Sequence, residues 1–550
     1  MVVTDKIFLD NLLKENELTK EQYHKIQELL EKNPKEDVLT LLFKNGYITK
    51  EVYLKYLSSK YSIGYISDLS SIRLKDIHIP VNILKQTLAV PVEEKYNKVK
   101  IAVADPLDWN AQAILKRFYP QKEVEFILGL KEDILKVLKL LESKEKVKEI
   151  IKDIKKELKG AEVTGEESAV MRLIKYLVVS SIEKKASDIH IEAEEDGGVV
   201  RIRVLGDLYE VLDFDMDIFN ALDSRIKILA NMDVSEKRKP QDGSFSMELG
   251  KNKFDFRVST LPTIWGESIV IRILDKRSIL KKIDEIGITS KNLEIFKKAL
   301  SQPNGIFLVT GPTGSGKTTT LYAALHEIAK VNRKVITVED PVEYKLHGIQ
   351  QVQVNPKVDM TFANALRSIL RQDPDIIMIG EIRDLETLEI AIKAALTGHL
   401  VLSTLHTNDA VSSIQRMIDM GADAFMVAAS LIGAEAQRLV KTICPYCKTK
   451  HKPEDIYLDP IKTIIPKDAV FYKGIGCEHC NFTGYGGRTM ISEIFLNDEK
   501  MESMISREKE KIDILNYLRS KGYQSMFYDG LIKALKGITT LEDIYKVAKL

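Results

Sequence analysis

Gly311-Pro312-Thr313-Gly314-Ser315-Gly316-Lys317-Thr318 is the stretch of sequence that decides the fold. It fits the phosphate-binding pattern G-x-x-x-x-G-K-[ST], and it lies between a strand-like run, Ile306 to Thr310, and a helix-forming run, Leu321 to Leu325. Its glycines let backbone N–H groups turn towards phosphates, and we include the following Thr319 in the nucleotide-binding set. Lys317 is expected to reach the β and γ oxygens, and the Thr318 hydroxyl is expected to ligate Mg²⁺. The loop therefore predicts ATP and Mg²⁺ as ligands.

Buried strands alternate with helices around this loop. Four short apolar runs have the composition of strands that are covered on both faces, at residues 306–309, 335–338, 376–379 and 400–402. Because such runs alternate with helical segments, the sequence predicts an α/β core with a mostly parallel sheet.

Two carboxylate clusters directly follow predicted strands. The first begins at Glu339 and reads Glu-Asp-Pro-Val-Glu, and the second reads Gly380-Glu381-Ile-Arg-Asp. An open α/β sheet binds its ligands beyond the carboxyl ends of its strands, so both clusters are candidate catalytic groups. Gly380 occupies the place where a Walker B strand ordinarily has an aspartate, which leaves Glu381 to polarise the attacking water.

Histidines bracket the fourth predicted strand. His399 precedes this strand and His406 follows it. Histidines at strand ends are usually structural, but beside a phosphate-binding loop at least one of them is a candidate sensor of the γ-phosphate.

The whole-chain composition is that of an ordinary globular protein. The 550 residues are enough for three or four domains, with 44% hydrophobic and 29% charged residues. Lys and Arg number 81 against 80 Asp and Glu, so the basic excess expected of a nucleic-acid partner is absent and none is expected. Neither a signal peptide nor a membrane-length apolar run is present. We expect a cytoplasmic protein that touches a membrane at most peripherally.

The four cysteines fall in two C-x-x-C pairs, Cys444/Cys447 and Cys477/Cys480. In a reducing compartment this spacing indicates metal ligation rather than disulfides. Each pair supplies two thiolates from one tight turn, so the pattern predicts a closed, structural Zn²⁺ site.

Changes in sequence style divide the chain into five predicted parts. An imperfect repeat places Leu12 and Thr19 opposite Leu42 and Thr49, with helices ending near Asn16 and Gly46 and restarting at each threonine. The parts are a helical repeat domain at 1–62, a small α/β domain at 63–141, a charged stretch at 142–166, an α+β domain at 167–285, and the ATPase core with its cysteine lobe at 286–550. The charged stretch is rich in Lys and Glu, and it is either an interdomain linker or a solvated helix of a neighbouring domain.

The motifs at residues 311–320, 336–344, 369–384 and 397–409 resemble the Walker A, Asp, Walker B and His boxes of bacterial secretion ATPases. They are similar to the type II secretion and type IV pilus extension ATPases, the GspE/PilB group, and Gly380 is also usual there. This resemblance implies a RecA-like, homohexameric motor ATPase docked on an inner-membrane platform protein. It favours pilus assembly, with type II secretion as the nearest alternative.

The same resemblance assigns roles to arginines. Arg257 and Arg272 match the family's γ-phosphate-contacting arginines from the preceding domain. Further arginines match basic positions near the nucleotide or a subunit boundary, namely Arg367, Arg371, Arg383 and Arg488.

The amino-terminal repeats resemble a domain that binds cyclic di-GMP in some of these ATPases. Each repeat normally opens Arg-Leu-Gly, whereas residues 7–9 and 37–39 here read Ile-Phe-Leu and Asp-Val-Leu. We therefore expect this domain to dock a partner or adaptor instead. Two rival hypotheses remain for the whole chain, a nucleic-acid motor and a regulatory module with a vestigial nucleotide site.

Overall fold

The protein was analysed as a computed structural model that divides into two compact units. The structure describes residues 3–14, 18–32, 38, 41–42, 47–48, 50–69, 79–160, 167–250, 252–274, 281–329 and 331–550. The first unit comprises residues 1–274, 444–451 and 473–486, and the second comprises 275–443, 452–472 and 487–550.

The first unit begins with helices α1 (Val3–Lys14), α2 (Lys20–Lys32) and α3 (Lys50–Tyr61). Thr19 caps α2 as the sequence predicts: its Oγ1 accepts from the Gln22 N–H at 3.2 Å, and its own N–H donates to Gln22 Oε1 at 2.8 Å. The predicted helix ends near Asn16 and Gly46, the cap at Thr49 and most of the second repeat opening lie outside the described residues.

A small α/β core follows. Its sheet has the order β1-β2-β3, with β1 antiparallel and β3 parallel to β2. The elements are α4 (Val81–Thr87), β1 (Ala89–Glu94), β2 (Lys98–Val103), α5 (Trp109–Lys116), β3 (Glu123–Leu128) and α6 (Lys131–Leu158).

Helix α6 belongs to two hydrophobic cores. Near its start Val137 and Leu138 pack in the small α/β core, and further along Val147 and Ile154 pack in the core of the α+β domain. Residues 142–158, the first part of the predicted charged stretch, therefore continue an ordered helix with a buried face.

The α+β domain has one antiparallel sheet of order β6-β5-β4-β9-β8-β7. Ser168 caps its first helix by accepting from the Met171 N–H. The sequence predicts strands at residues 188–192 and 199–204 from their period-two alternation, and further strands at 254–259 and 268–274; these lie in β4, β5, β8 and β9. The elements are α7 (Ala169–Glu183), β4 (Ala186–Glu194), β5 (Gly197–Val204), β6 (Asp207–Phe214), α8 (Met216–Leu229), β7 (Gln241–Leu249), β8 (Asn252–Pro262) and β9 (Glu267–Leu274).

The second unit is built on a seven-stranded sheet of order β12-β11-β13-β14-β10-β15-β18. Its elements and the two strands of the cysteine region are α9 (Ser290–Leu300), β10 (Gly305–Thr310), α10 (Lys317–Ile328), β11 (Val335–Glu339), β12 (Gln350–Gln353), α11 (Phe362–Ile369), β13 (Ile376–Ile379), α12 (Leu385–Leu396), β14 (Leu400–Leu405), α13 (Ser412–Asp419), α14 (Ala424–Ser430), β15 (Leu431–Ile443), β16 (Lys448–His451), α15 (Asp455–Leu458), β17 (Phe471–Gly474), β18 (Tyr485–Leu496), α16 (Glu499–Ser506), α17 (Lys511–Ser520), α18 (Met526–Leu535) and α19 (Leu541–Tyr545).

The neighbours from β12 to β15 in this sheet pair in parallel. Alternate residues of β10 enter different cores: Ile306 and Leu308 lie in one cluster, and Phe307 and Val309 lie in the other. Both faces are therefore covered, and the predicted α/β fold with a parallel sheet is confirmed. The carboxyl ends of β10, β11, β13 and β14 consequently meet at one edge.

Among the described residues, no helix combines the length and the apolar composition that crossing a membrane requires.

Candidate active site

The phosphate-binding loop joins β10 to α10, as predicted. Gly311 and Gly316 have φ values of 145° and 93°, a region that side chains disfavour. A Cβ at Gly311 would also lie 2.6 Å from Ser315 Oγ and 2.7 Å from the Gln437 carbonyl oxygen. The loop backbone can therefore curl into a phosphate cradle only with glycine at this position. Pro312, Thr313, Gly314 and Thr318 are exposed, and Thr318 lies in the first turn of α10.

Lys317 is held by the loop that it follows. Its ammonium donates to the carbonyl oxygens of Gly311 at 2.8 Å and Pro312 at 3.2 Å. Burial lowers its pKa, Glu381 opposes that shift and the cation of Arg438 adds to it. A cation that is partly desolvated beside a ring of N–H groups is suited to binding phosphate oxygens.

Strand β15 supports the loop from the other side, and the sequence analysis missed it. The Gln437 side chain donates to the Ser315 carbonyl oxygen at 2.8 Å and accepts from the Thr320 hydroxyl at 2.8 Å. The half-buried guanidinium of Arg438 donates to the Gln437 and Asn408 carbonyl oxygens and lies beside Gly311. The sequence signal that could have identified this support is the pair of long polar side chains, Gln437 and Arg438, in a strand next to β10.

Glu381 follows β13 and lies at the meeting point of three strands. Its side chain is 17% exposed and forms an ion pair with Arg383, while His406 Nε2 lies 3.4 Å from its other oxygen. Arg383 also lies 3.9 Å from the Asp340 carboxylate. Glu381 acts electrostatically on Lys317, so the structure brings the predicted carboxylate, histidine and lysine into one site.

The two predicted histidines lie at opposite ends of β14. His399 precedes β14, and its Nδ1 lies 2.9 Å from the Ala394 carbonyl oxygen. His406 follows the same strand and contacts Glu381. Of the two predicted candidates, only His406 therefore lies at the carboxyl edge that carries the phosphate-binding loop.

Gly380 lies where the chain passes very close to β11. A Cβ there would be 3.3 Å from the Val338 carbonyl oxygen and 3.4 Å from the Glu339 Cα. The close approach explains why a glycine replaces the usual Walker B aspartate at this position.

Glu339 ends β11 inside a buried hydrogen-bond network. Its carboxylate accepts from the hydroxyls of Tyr322 at 2.5 Å and Thr337 at 2.6 Å, and from the Gln351 amide at 3.1 Å. Burial raises the pKa of Tyr322, and the hydrogen bond from Tyr322 to Glu339 raises it further. The network ties α10, which follows the phosphate-binding loop, to β11.

Arg257 and Arg272 are direct cross-strand neighbours on β8 and β9. The Arg272 guanidinium forms an ion pair with Asp188 at 2.9 Å and remains 58% exposed. Like charges directly opposite each other destabilise a sheet, and here the Asp188 carboxylate offsets the charge of Arg272. The structure therefore brings these two predicted residues together.

The other predicted arginines lie apart from Glu381, except for Arg383. Arg367 pairs with Glu386, and Arg371 donates to the Arg367 carbonyl oxygen and to Ser368. Arg488 lies exposed on β18.

Glu435 is a fully buried carboxyl group on β15. Its backbone oxygen accepts from the Thr310 hydroxyl at 3.3 Å, which places it next to the strand of the phosphate-binding loop. Burial raises its pKa to about 8, opposed by the nearby Ser492 and by the charge of Lys533.

The four cysteines converge as their spacing predicts. The sulfur pairs Cys444/Cys477, Cys447/Cys480 and Cys477/Cys480 each lie 3.8 Å apart. A zinc ion bonded to four sulfurs at about 2.3 Å requires sulfur separations of about 3.8 Å in a tetrahedron. A hydrogen bond from the Cys447 thiol lowers the pKa of Cys480 to about 4, with help from the Cys477 and Gly484 amides. The donor set therefore fits one zinc ion.

Comparison with known proteins decides the family. The profile described as "Type II/IV secretion system protein" matches residues 163–546, well over half of the chain. The chain belongs to this family. Members of the type II/IV secretion family hydrolyse ATP, so this chain is an ATPase. The MshEN domain profile matches residues 66–148.

Relatives from both branches of the secretion ATPases are similar to this chain. The type IV pilus assembly ATPase PilB of Myxococcus xanthus is 38% identical over 572 residues, covering 97% of each chain. Type II secretion system protein E of Aeromonas hydrophila is 46% identical over 384 residues, covering 70% of this chain and 76% of the relative. Among solved structures, the ATPase DotB of Legionella pneumophila shares the fold at a TM-score of 0.52 and 21% identity, over 68% of this chain and 95% of that one.

Proposed function

We propose that this chain is the motor ATPase of type IV pilus assembly. The observation that carries the proposal is the match to the Myxococcus xanthus pilus assembly ATPase over 97% of both chains. Relatives named for type II secretion are more identical, at 46%, but they match only 70% of this chain. The shared part is the motor, whose chemistry both systems need. The amino-terminal part is where a partner is selected, so coverage outweighs identity here.

The residues at the carboxyl edge of the sheet divide the work of hydrolysis. Residues 311–319 hold the phosphates of ATP, Lys317 binds the β and γ oxygens, and Thr318 supplies a hydroxyl to Mg²⁺. Mg²⁺ supplies charge neutralisation when it is bound. Glu381 polarises the attacking water, and its contact with His406 orients the carboxylate. Glu339 is proposed as a positioning residue, because its contacts connect β11 to α10 rather than to open space.

Arg257 and Arg272 are proposed to neutralise the charge that develops on the γ-phosphate. Their direct opposition on β8 and β9 places both residues on one face of the sheet, and the Arg272 side chain is 58% exposed. Arg438 is proposed as a further cation beside the loop, because its guanidinium lies next to Gly311 and donates to the Gln437 and Asn408 carbonyl oxygens.

Zn²⁺ is proposed to be held by Cys444, Cys447, Cys477 and Cys480. All four sulfur atoms lie within 4.8 Å of one another. A site closed by four thiolates offers no open position for substrate, so its contribution is to the stability of this lobe.

We further propose a cytoplasmic homohexamer that docks peripherally on an inner-membrane platform protein. The amino-terminal residues form the docking region for an adaptor in this proposal, and no nucleic acid takes part. The nearly balanced charge of 81 basic and 80 acidic residues supports the last point.

The test is deletion of the gene in its own organism, with plasmid-borne wild type or Glu381→Gln added back. Surface pili are counted by electron microscopy, and secreted enzymes are assayed in the medium. We expect pili to be lost, secretion to persist, and wild type alone to restore pili. Loss of secretion would favour the type II alternative and overturn the pilus assignment. ATPase activity stimulated by DNA in the purified protein would favour a nucleic-acid motor.

A further inference from the structure

A cavity of about 370 Å³ lies within the first unit, next to the end of helix α7. Its walls come from α6, the residues after α7, the β5–β6 hairpin and the second cysteine pair. Small-molecule sites typically occupy about 300–1,000 Å³. The cavity is therefore large enough for a compact ligand, and it lies outside the unit that carries the nucleotide loop.

Unpaired positive charge surrounds this cavity. Lys136, Lys184 and Lys185 line it, and none of the three has a carboxylate within ion-pair distance in the part of the chain that the structure describes. Burial lowers the pKa of Lys184, and the charge of nearby Lys139 lowers it further. Glu183 and Glu210 also contribute to the wall without pairing to these ammoniums. The charge of Glu183 acts on Lys184 but forms no ion pair with it. Three ammoniums in one cavity wall, without a carboxylate at ion-pair distance among the described residues, favour an anionic ligand.

The rest of the wall is apolar and aromatic. Tyr209 is 43% exposed in the cavity wall, and the Phe482 ring lies opposite the Lys136 ammonium, which is 5.9 Å from the ring centre. Val211 and Ile202 add aliphatic surface. Aromatic faces next to cations suit a ligand that carries a flat ring as well as a negative group.

The backbone of four cavity residues is left-handed. Ten described non-glycine residues have positive φ, and four of them line this cavity: Lys185 at 57°, Leu205 at 52°, Asn481 at 48° and Phe482 at 61°. Lys185 directly follows the C-cap residue of α7, and Leu205 lies in the turn between β5 and β6, two places where positive φ is common. Glycine adopts this conformation more readily than lysine, so a glycine at position 185 would fit the backbone.

We propose that this cavity binds a small aromatic phosphate ester, with the phosphate on the three lysines and the ring against Tyr209 and Phe482. Lysine ammoniums bind phosphate as point charges, and ring stacking adds affinity that inorganic phosphate cannot have. The site is separate from the phosphate-binding loop at residues 311–319, and a ligand there contacts both the α+β domain and the cysteine lobe.

The test uses the full-length, zinc-loaded chain with saturating Mg·ADP, which occupies the nucleotide loop. Phenyl phosphate is titrated by calorimetry, with inorganic phosphate and phenol as separate arms. We expect one equivalent of phenyl phosphate to bind. Inorganic phosphate and phenol should each bind at least about tenfold more weakly, because the first lacks the ring and the second lacks the phosphate.

Lys185→Gly gives the decisive variant, because it removes a cation and relieves backbone strain at once. We expect it to fold with an unchanged or higher melting temperature while phenyl phosphate affinity falls by about tenfold. Glu508→Gly is the matched control, since Glu508 also has positive φ, at 48°, but lies away from the cavity. Lys185→Arg should retain most of the affinity. Equal affinity in the parent and Lys185→Gly, or no saturable binding beyond Mg·ADP, overturns the proposal.

Discussion

The role of Glu381 can be tested by an isosteric change, Glu381→Gln. The amide keeps the shape of the carboxylate but carries no charge and cannot polarise water. In the structure the carboxylate pairs with Arg383 and lies 3.4 Å from His406, whereas Lys317 binds the loop carbonyl oxygens independently of it. We therefore expect ATP binding to persist and hydrolysis to be lost.

The expected magnitude follows from the site. A positioned general base contributes roughly 10²–10⁴-fold to a rate, or about 2.7–5.5 kcal/mol of barrier. Stability should change far less, because the partner Arg383 is 62% exposed and an exposed ion pair contributes about 0–1 kcal/mol. The variant should thus melt close to wild type while turning over at least about 100-fold more slowly.

Steady-state phosphate release and equilibrium ATP binding measure the two effects separately. Glu389→Gln is the matched control: it is the same change on neighbouring helix α12, where Glu389 is 52% exposed and forms an i,i+4 ion pair with Lys393. It should leave turnover unchanged. A Glu381→Gln rate within a factor of about two of wild type, in folded protein that binds ATP, would refute the assignment, since even a weak general base supplies more.

Four further outcomes are expected. Lys317→Ala should weaken ATP binding by about 10–100-fold in a nucleotide titration, because a charged hydrogen bond to phosphate contributes about 1.5–3 kcal/mol; unchanged affinity would contradict the role of the lysine. Arg257→Ala and Arg272→Ala should bind ATP but hydrolyse it roughly 10³-fold more slowly, and lysine at either position should rescue poorly because it lacks the planar fork; near-normal rates in both would make them ordinary strand charges. Cys477→Ser should lower both the zinc content in elemental analysis and the melting temperature; a metal-free chain as stable as wild type would exclude a structural zinc. Burial raises the pKa of Glu435 from its ordinary value of 4.5 to about 8, so the folded state keeps a proton that the unfolded chain loses. Stability should therefore fall as pH rises between these two values. In Glu435→Gln the melting temperature should lose most of that slope between these pH values, and an unaltered slope would mean that Glu435 does not titrate there.

Local motifs made much of the site predictable. The phosphate-binding loop and the paired cysteines are short-range patterns, in which spacing alone fixes which atoms can converge. Glu381 and His406 could be placed because each follows a parallel strand, and such strands end at a common edge. Whether each residue acts in catalysis remains a prediction.

Contacts that depend on distant strand pairing could not be predicted in the same way. Gln437 and Arg438 reach the loop only because β15, about 125 residues further along the chain, pairs with β10. The bonds from Tyr322, Thr337 and Gln351 to Glu339 likewise join three separate elements. Nothing in a local pattern specifies such partners.

The edge strands of the α+β sheet and the continuity of α6 were also missed. Strand β6 reads Asp-Leu-Tyr-Glu-Val-Leu-Asp-Phe and is largely exposed. It therefore lacks the alternation of buried and exposed residues that identifies a half-buried strand in a sequence. In α6, Lys and Glu residues dilute the apolar positions, and only the neighbouring core shows that Val147 and Ile154 are buried.

Helix α6 has a mechanical consequence for a motor. Its 28 residues span about 42 Å at 1.5 Å per residue, and hydrophobic packing clamps it at both ends in different cores. The two cores are therefore joined by one continuous helix, and they can move relative to each other only if this helix bends or its packing changes. The α+β domain at its far end carries Arg257 and Arg272.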